Sequence, residues 1–215
     1  MIYLNNYGWN DKLSQLKQES TYNALTHGRI SIVHRTCYEV VSENGLFQCE
    51  LTGNMMYGKS DIELPCTGDW VLFQPFDEHK GIIVDMLPRE RTLYRKKNGT
   101  VADKQAIASY VDKAFIVQSL DDNFNVRRAE RFMVQMQEEN INPVLVFNKA
   151  DLGFDEQKVE EQIRHIARQI PVFFTSIHQP QTILQLRESI SAGETVVFVG
   201  SLGVGKSFLG DAVWG

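Results

Sequence analysis

Gly200-Ser201-Leu202-Gly203-Val204-Gly205-Lys206-Ser207 decides how this 215-residue chain is read. It fits the G-x-x-x-x-G-K-[ST] pattern of a phosphate-binding loop. Glycines let the backbone wrap closely around phosphates and turn its N–H groups inward. Ser201, Leu202, Gly203, Val204 and Gly205 would supply that wrapping backbone. Lys206 would place a cation on the β- and γ-phosphates, which makes it the candidate catalytic group, and Ser207 would offer its hydroxyl to Mg²⁺. The flanks agree. Residues 194–199 are a short β-branched run entering the loop, and residues 207–214 can start a helix whose N-terminal dipole favours an anion.

Asn148-Lys149-Ala150-Asp151 lies earlier, at the C-terminal end of Pro143-Val144-Leu145-Val146-Phe147, a buried-strand run. It fits the N-K-x-D element by which GTPases select guanine, and ligands of open parallel sheets bind at that end of the strands. The Asp151 carboxylate can accept from the guanine N1–H and exocyclic amine. Adenine has an unprotonated N1 and no amine at the carbon beside it, so an ATP-dependent enzyme conflicts with this motif. Asn148 would support base and loop, and the Lys149 stem would cover one ring face. A third element, residues 170–176, reads as a buried strand ending in Thr175-Ser176. GTPases often close the base pocket there with Ser-Ala. Here the pair is Ser176-Ile177, and a plain strand-end turn explains it equally well. In Ras-like GTPases the phosphate loop comes first. Here the order is reversed, as in a circular permutation.

The N-terminal region reads differently. Residues 11–18 can form a helix with Asn10 as N-cap. Residues 29–33, 38–41, 46–51, 70–73 and 81–84 are short strand candidates, with Asn44-Gly45 a hairpin signal between the second and third. Such a set suggests a small barrel. An OB-fold fits the strand count, and periodicity does not separate it from an SH3-like barrel. Residues 89–97, from Arg89 through Arg91, Tyr94, Arg95 and Lys96 to Lys97, are the densest basic stretch. They can meet RNA phosphates and stack a base, or serve as a solvated linker. From residue 113 onward strands and helices alternate: strands at 114–117 and 143–147, helices at 127–139, 158–169 and 182–190. Alternation of this kind implies a parallel sheet with right-handed crossovers. The expected organisation is therefore a helix plus OB-fold-like barrel over 1–88, a basic linker over 89–110, and a permuted α/β P-loop GTPase domain over 111–215.

Composition narrows the setting. The chain is 43% hydrophobic with a net charge of −5, which carries no global nucleic-acid signature. It holds no apolar run long enough to span a membrane and no signal-peptide pattern at Met1, so a cytoplasmic location is expected. Cys37, Cys49 and Cys66 are scattered, without C-x-x-C spacing, and suit buried thiols better than disulfides or zinc.

These residues resemble the RsgA family (YjeQ/YloQ), circularly permuted GTPases dependent on the small ribosomal subunit. The resemblance runs through nearly the whole chain. It is carried by Thr67-Gly68-Asp69-Trp70-Val71, by Leu87-Pro88-Arg89 with Arg95-Lys96, and by the stretch from Asn123 to Arg131. The guanine and phosphate motifs in this order complete it. It implies an OB-fold, GTP or GDP with Mg²⁺, and action in late 30S maturation through contact with 16S rRNA. Two departures stand out. Family loops usually read Gly-Lys-Ser-Ser-Leu, whereas this one places Phe208 after Ser207, a backbone N–H without a hydroxyl. The switch threonine, the D-x-x-G element and the family's zinc-binding C-terminal domain are missing from these 215 residues, so a truncated chain is expected and zinc is expected only in that absent domain. Such a chain is expected to bind nucleotide without hydrolysing it. The alternative is a non-hydrolysing RNA- or ribosome-binding module that retains nucleotide binding. The sheet edge at residues 196–199 would then be unpaired and open to self-association.

Overall fold

The structure, a computed structural model, describes residues 1–57, 59–96, 104–121 and 124–214. The chain divides into two compact units, Met1–Val111 and Asp112–Gly215.

In the first unit, helix α1 (Asp11–Glu19) opens where expected, because the Asn10 side chain accepts from the Leu13 N–H at 3.1 Å. Five strands among the described residues follow: β1 (Thr26–Val33), β2 (Tyr38–Ser42), β3 (Gly45–Leu51), β4 (Trp70–Asp77) and β5 (Lys80–Met86). A short helix, α2 (Gly53–Met56), follows β3. The strands close into a barrel in the order β1-β2-β3-β5-β4, with β1 against β4. All pairs are antiparallel except β3 with β5, which is parallel. A parallel pair needs a crossover rather than a hairpin. This closure is the Greek-key arrangement of an OB-fold, and it resolves what strand count left open. Ile30, Val40, Phe47, Cys49, Val71, Phe73 and Ile83 form one buried cluster. Leu13 of α1 joins a second with Leu4, Trp70, Leu72 and Leu87. Burial pushes the Cys49 and Cys66 thiols up to about 12, so neither is a reactive thiolate.

Of residues 89–110, expected as a basic linker, the described ones carry two further strands of this unit. Strands β6 (Leu93–Lys96) and β7 (Lys104–Ala108) pair antiparallel, and Thr67 bridges to Ala108. Arg89 grips the fully buried Asp69 through Nε at 2.9 Å and Nη2 at 2.6 Å, and also donates to the carbonyls of Ile62 and Leu64. Asp69 in turn accepts from the Cys66 N–H at 2.7 Å. A buried pair with this many partners has its charges compensated and costs several kcal/mol (about 3–5) to break from one side.

The second unit is the α/β sheet the alternation implied. It comprises β8 (Lys113–Ser119), α3 (Val126–Glu138), β9 (Asn142–Asn148), α4 (Glu156–Ala167), β10 (Val172–Phe174), α5 (Pro180–Glu188), β11 (Val196–Gly200) and α6 (Lys206–Trp214). The strand order is β10-β9-β8-β11, all parallel. The chain steps outward from β8 to β9 to β10, then crosses back to place β11 on the other side of β8. The sheet therefore has a topological switch point between β8 and β11, where ligands of such sheets bind. Ile183, Leu186, Leu209 and Val213 pack α5 and α6 on one face against Phe115, Val117, Val144 and Val146. Among the described residues, β11 pairs only with β8, leaving its other edge without a strand.

Candidate functional site

The switch point gathers the two motifs. The phosphate-type loop joins β11 to α6, and Asn148 ends β9. Two glycines are required by close approach. A Cβ on Gly200 (φ +150°) would lie 2.4 Å from the Val117 carbonyl oxygen, where β11 passes β8. A Cβ on Gly205 (φ +90°) would lie 2.4 Å from the Asn148 amide nitrogen. That amide, buried, donates to the Val204 carbonyl at 3.0 Å. One hydrogen bond thus ties the base-type motif to the phosphate-type loop across 56 positions of sequence.

Lys206 begins α6, and its Nζ donates to the carbonyls of Gly200 at 3.0 Å and Ser201 at 2.6 Å. The ammonium spans the mouth of the loop. A bound phosphate there competes with two neutral acceptors for a cation that prefers an anion. The Leu209 N–H closes the first helical bond onto Gly205 at 3.0 Å, so the N–H groups ahead of it have no acceptor within α6. Ser207 is exposed in that first turn, Phe208 beside it is 68% exposed, and Leu202 at the loop tip is 95% exposed. Val204 is fully buried and anchors the loop from beneath.

Around β9 the second motif is held from both sides. Lys149 adopts a left-handed backbone, φ 62° and ψ 37°, which a non-glycine residue takes only when its surroundings over-determine it. The Ala150 N–H donates to the Thr175 carbonyl at 3.1 Å, pinning the motif to the end of β10. Asp151 accepts from the Ser176 hydroxyl at 2.5 Å, and that bond is the leading cause holding the Asp151 carboxyl below its ordinary range. Ser176 is itself positioned: its hydroxyl accepts from the His178 N–H, and its own N–H donates to Thr182 Oγ1, both at 3.0 Å. So Ser176 reaches Asp151 through its side chain, while its N–H is already paired. The sequence reading did not single out Thr182, Ser119 or Asp121. No local pattern marks them; they act through bonds spanning other elements.

The basic stretch is dispersed. Arg89 is tied to Asp69. Arg91 donates to the Val111 carbonyl at 3.1 Å, and the Tyr94 ring lies under the Lys104 ammonium at 5.7 Å. Arg95 and Lys96 are exposed on β6. Lys97 and Asn123 lie outside the described residues. Among the described residues no three His, Cys, Asp or Glu side chains converge on a metal site, and no helix is long and apolar enough to cross a membrane.

The family model described as RsgA GTPase matches residues 86–214. The "Small ribosomal subunit biogenesis GTPase RsgA 1" of Bacteroides thetaiotaomicron is 72% identical over 209 residues, covering 97% of this chain and 59% of that protein. The corresponding Methanosarcina acetivorans protein is 34% identical over 214 residues, covering 96% and 56%. Among solved structures, YjeQ from Thermotoga maritima matches with a TM-score of 0.69 at 26% identity, over 87% of this chain and 64% of that one. The circularly permuted GTPase YloQ shares the fold, with a TM-score of 0.63. The chain spans under two thirds of the length of each. The barrel of the first unit, the permuted order of the second and the matched residues together make this chain a member of the RsgA GTPase family.

Proposed function

We propose that this chain binds GTP and GDP at the β8–β11 switch point, and that the protein it represents is a GTPase acting in late maturation of the small ribosomal subunit. The observation that carries this is the Asn148–Val204 hydrogen bond, because it sets a base-reading motif and a phosphate loop at one place. Gly200 and Gly205 let the loop lie against Val117 and Asn148, where a side chain on either would collide, which supports a backbone wrapped closely enough to hold a phosphate. Asn148, Lys149 and Asp151 hold the base, with Ser176 fixing Asp151. Backbone from Ser201 to Phe208 faces the phosphates. With nucleotide bound, Lys206 would leave its two carbonyls to neutralise β- and γ-phosphate charge, and the Ser207 hydroxyl would hold Mg²⁺. The bound Mg²⁺ supplies Lewis-acid polarisation of the phosphates.

Partners follow from the same reading. Relatives are named for small-subunit biogenesis, which supports the 30S subunit and its 16S rRNA as partners, in the cytoplasm. Arg95 and Lys96, exposed on β6 with Tyr94 beside them, are the cations of the basic stretch best placed for rRNA phosphates, whereas Arg89 serves the fold. The open edge of β11 supports pairing with a further strand, including one from a second copy. Zinc is assigned to none of these residues.

A second reading is favoured by one observation. These 215 residues contain no Asp-x-x-Gly sequence to meet a γ-phosphate. Phosphoryl transfer needs the γ-phosphate, metal and attacking water held together, so we infer binding without efficient turnover for this stretch by itself. Calorimetric titration with GDP and with ADP tests the guanine assignment; equal affinities overturn it. Single-turnover hydrolysis with and without 30S subunits then separates the two readings. Subunit-stimulated turnover by these 215 residues would overturn the second.

A further inference from the structure

We infer that Asp121 is a positioning residue of the base site, acting through Lys149; the inference rests on the guanine-nucleotide reading above. Lys149 Nζ donates to Asp121 Oδ2 at 2.7 Å, and Asp121 Oδ1 accepts from the Ser119 hydroxyl at 2.6 Å. Ser119 is the last residue of β8, fully buried, and stands opposite Asn148 in the parallel register. The Leu120 N–H continues that ladder to the Asn148 carbonyl at 3.0 Å. The carboxylate is thus aimed by a hydroxyl on a rigid strand end, not by a free loop.

The consequence concerns the lysine stem. Lys149 leaves the end of β9 in a left-handed conformation, and its ammonium is held at the end of β8. Both ends of the side chain are fixed, so the four-carbon stem between them is confined to one path. An unrestrained lysine loses much rotamer freedom when it is ordered against a ligand. Here the loss is taken on folding, which leaves more of the contact free energy to appear as affinity. Asp151 is meanwhile held from the β10 side by Ser176. The two side chains that read the base are therefore set from opposite flanks of β9. The Lys149 and Asp121 side chains are 34% and 29% exposed, and ion pairs this accessible add little to stability. The role of Asp121 should therefore show in base binding rather than in folding.

Five variants of the full chain test this by GDP and ADP titration: Asp121→Asn, Lys149→Met, the double variant, Asp121→Glu and Ser119→Ala. The parent should prefer GDP. Asp121→Asn should weaken GDP binding about tenfold, the range set by freeing one long side chain, with the thermal midpoint near the parent's. Lys149→Met keeps the stem but releases it, and should lose a similar factor. The double variant should be no weaker than Lys149→Met alone, and Asp121→Glu should recover part of the loss. A merely structural role would not give that non-additivity. Ser119→Ala, which removes the hydroxyl aiming the carboxylate, should weaken GDP binding in the same direction and decides the question should Asp121→Asn not fold. A parent that prefers GDP while Asp121→Asn binds it equally well overturns the inference alone, as do losses that multiply in the double variant. A parent that binds GDP and ADP alike overturns the guanine reading beneath it.

Discussion

Gly205→Ala is the sharpest perturbation the site offers. The added methyl would lie 2.4 Å from the Asn148 amide nitrogen, and Gly205 has φ +90°, where an L side chain is strained. Two costs combine. Holding alanine in that backbone region costs about 1–2 kcal/mol. Displacing the buried Asn148 amide breaks its 3.0 Å bond to the Val204 carbonyl and leaves two polar groups without partners, for about 1–3 kcal/mol. The sum, about 2–5 kcal/mol, falls on the contact that joins base motif to phosphate loop. Gly203→Ala is the matched control: φ is +83°, yet nothing lies within 4 Å of the added Cβ, so only the backbone cost applies. GDP titration of both variants, with urea unfolding alongside, should show Gly205→Ala losing at least about tenfold in affinity beyond Gly203→Ala, since about 1.4 kcal/mol is a factor of ten. Equal losses in the two variants, or none in Gly205→Ala, would refute the claim that Asn148 couples the motifs.

Further outcomes follow from the same geometry. Asp151→Asn should weaken guanine binding by about 1–3 kcal/mol and turn preference toward xanthine nucleotides, whose C2 carbonyl meets the new amide donor; competition between GDP and XDP reads this directly. Lys206→Ala should abolish most GTP affinity, and Ser207→Ala should chiefly remove its Mg²⁺ dependence, both measurable by titration with and without the metal. The Asp151 carboxyl is held below its ordinary range chiefly by Ser176, so guanine binding should persist above that lowered value and fade as pH falls through it. In Ser176→Ala the carboxyl returns toward its ordinary range, and the loss should begin at a higher pH; superimposable pH profiles would show that Ser176 does not tune Asp151.

Much of this site can be read in the linear sequence because its motifs are short and contiguous. The strand–loop–helix around residues 200–207 and the strand ending at Asn148 each carry their own local instructions: β-branched runs, glycines, and a helix start. The N-terminal strands likewise follow from short apolar runs and the Asn44-Gly45 turn, and α1 follows from the Asn10 cap. The basic stretch is less legible, for an equally physical reason. Charge density along the chain suggests RNA contact or a solvated linker, and nothing local reveals that Arg89 meets a buried carboxylate twenty positions earlier.

What the sequence alone determined, then, is the set of elements, the reversed order of the two motifs and the residue types of the candidate base and phosphate motifs, since these depend on neighbours within a few positions. The tertiary structure decided which strands meet. The parallel β3–β5 closure makes the barrel an OB-fold, and the return of β11 beside β8 creates the switch point. Only that return brings Asn148 to Val204, and only the ends of adjacent strands bring Asp121 to Lys149 and Ser176 to Asp151. Hydrogen bonds spanning 25 to 56 positions are fixed by sheet order and register, which arise from packing the whole chain and leave no mark on any short stretch of it.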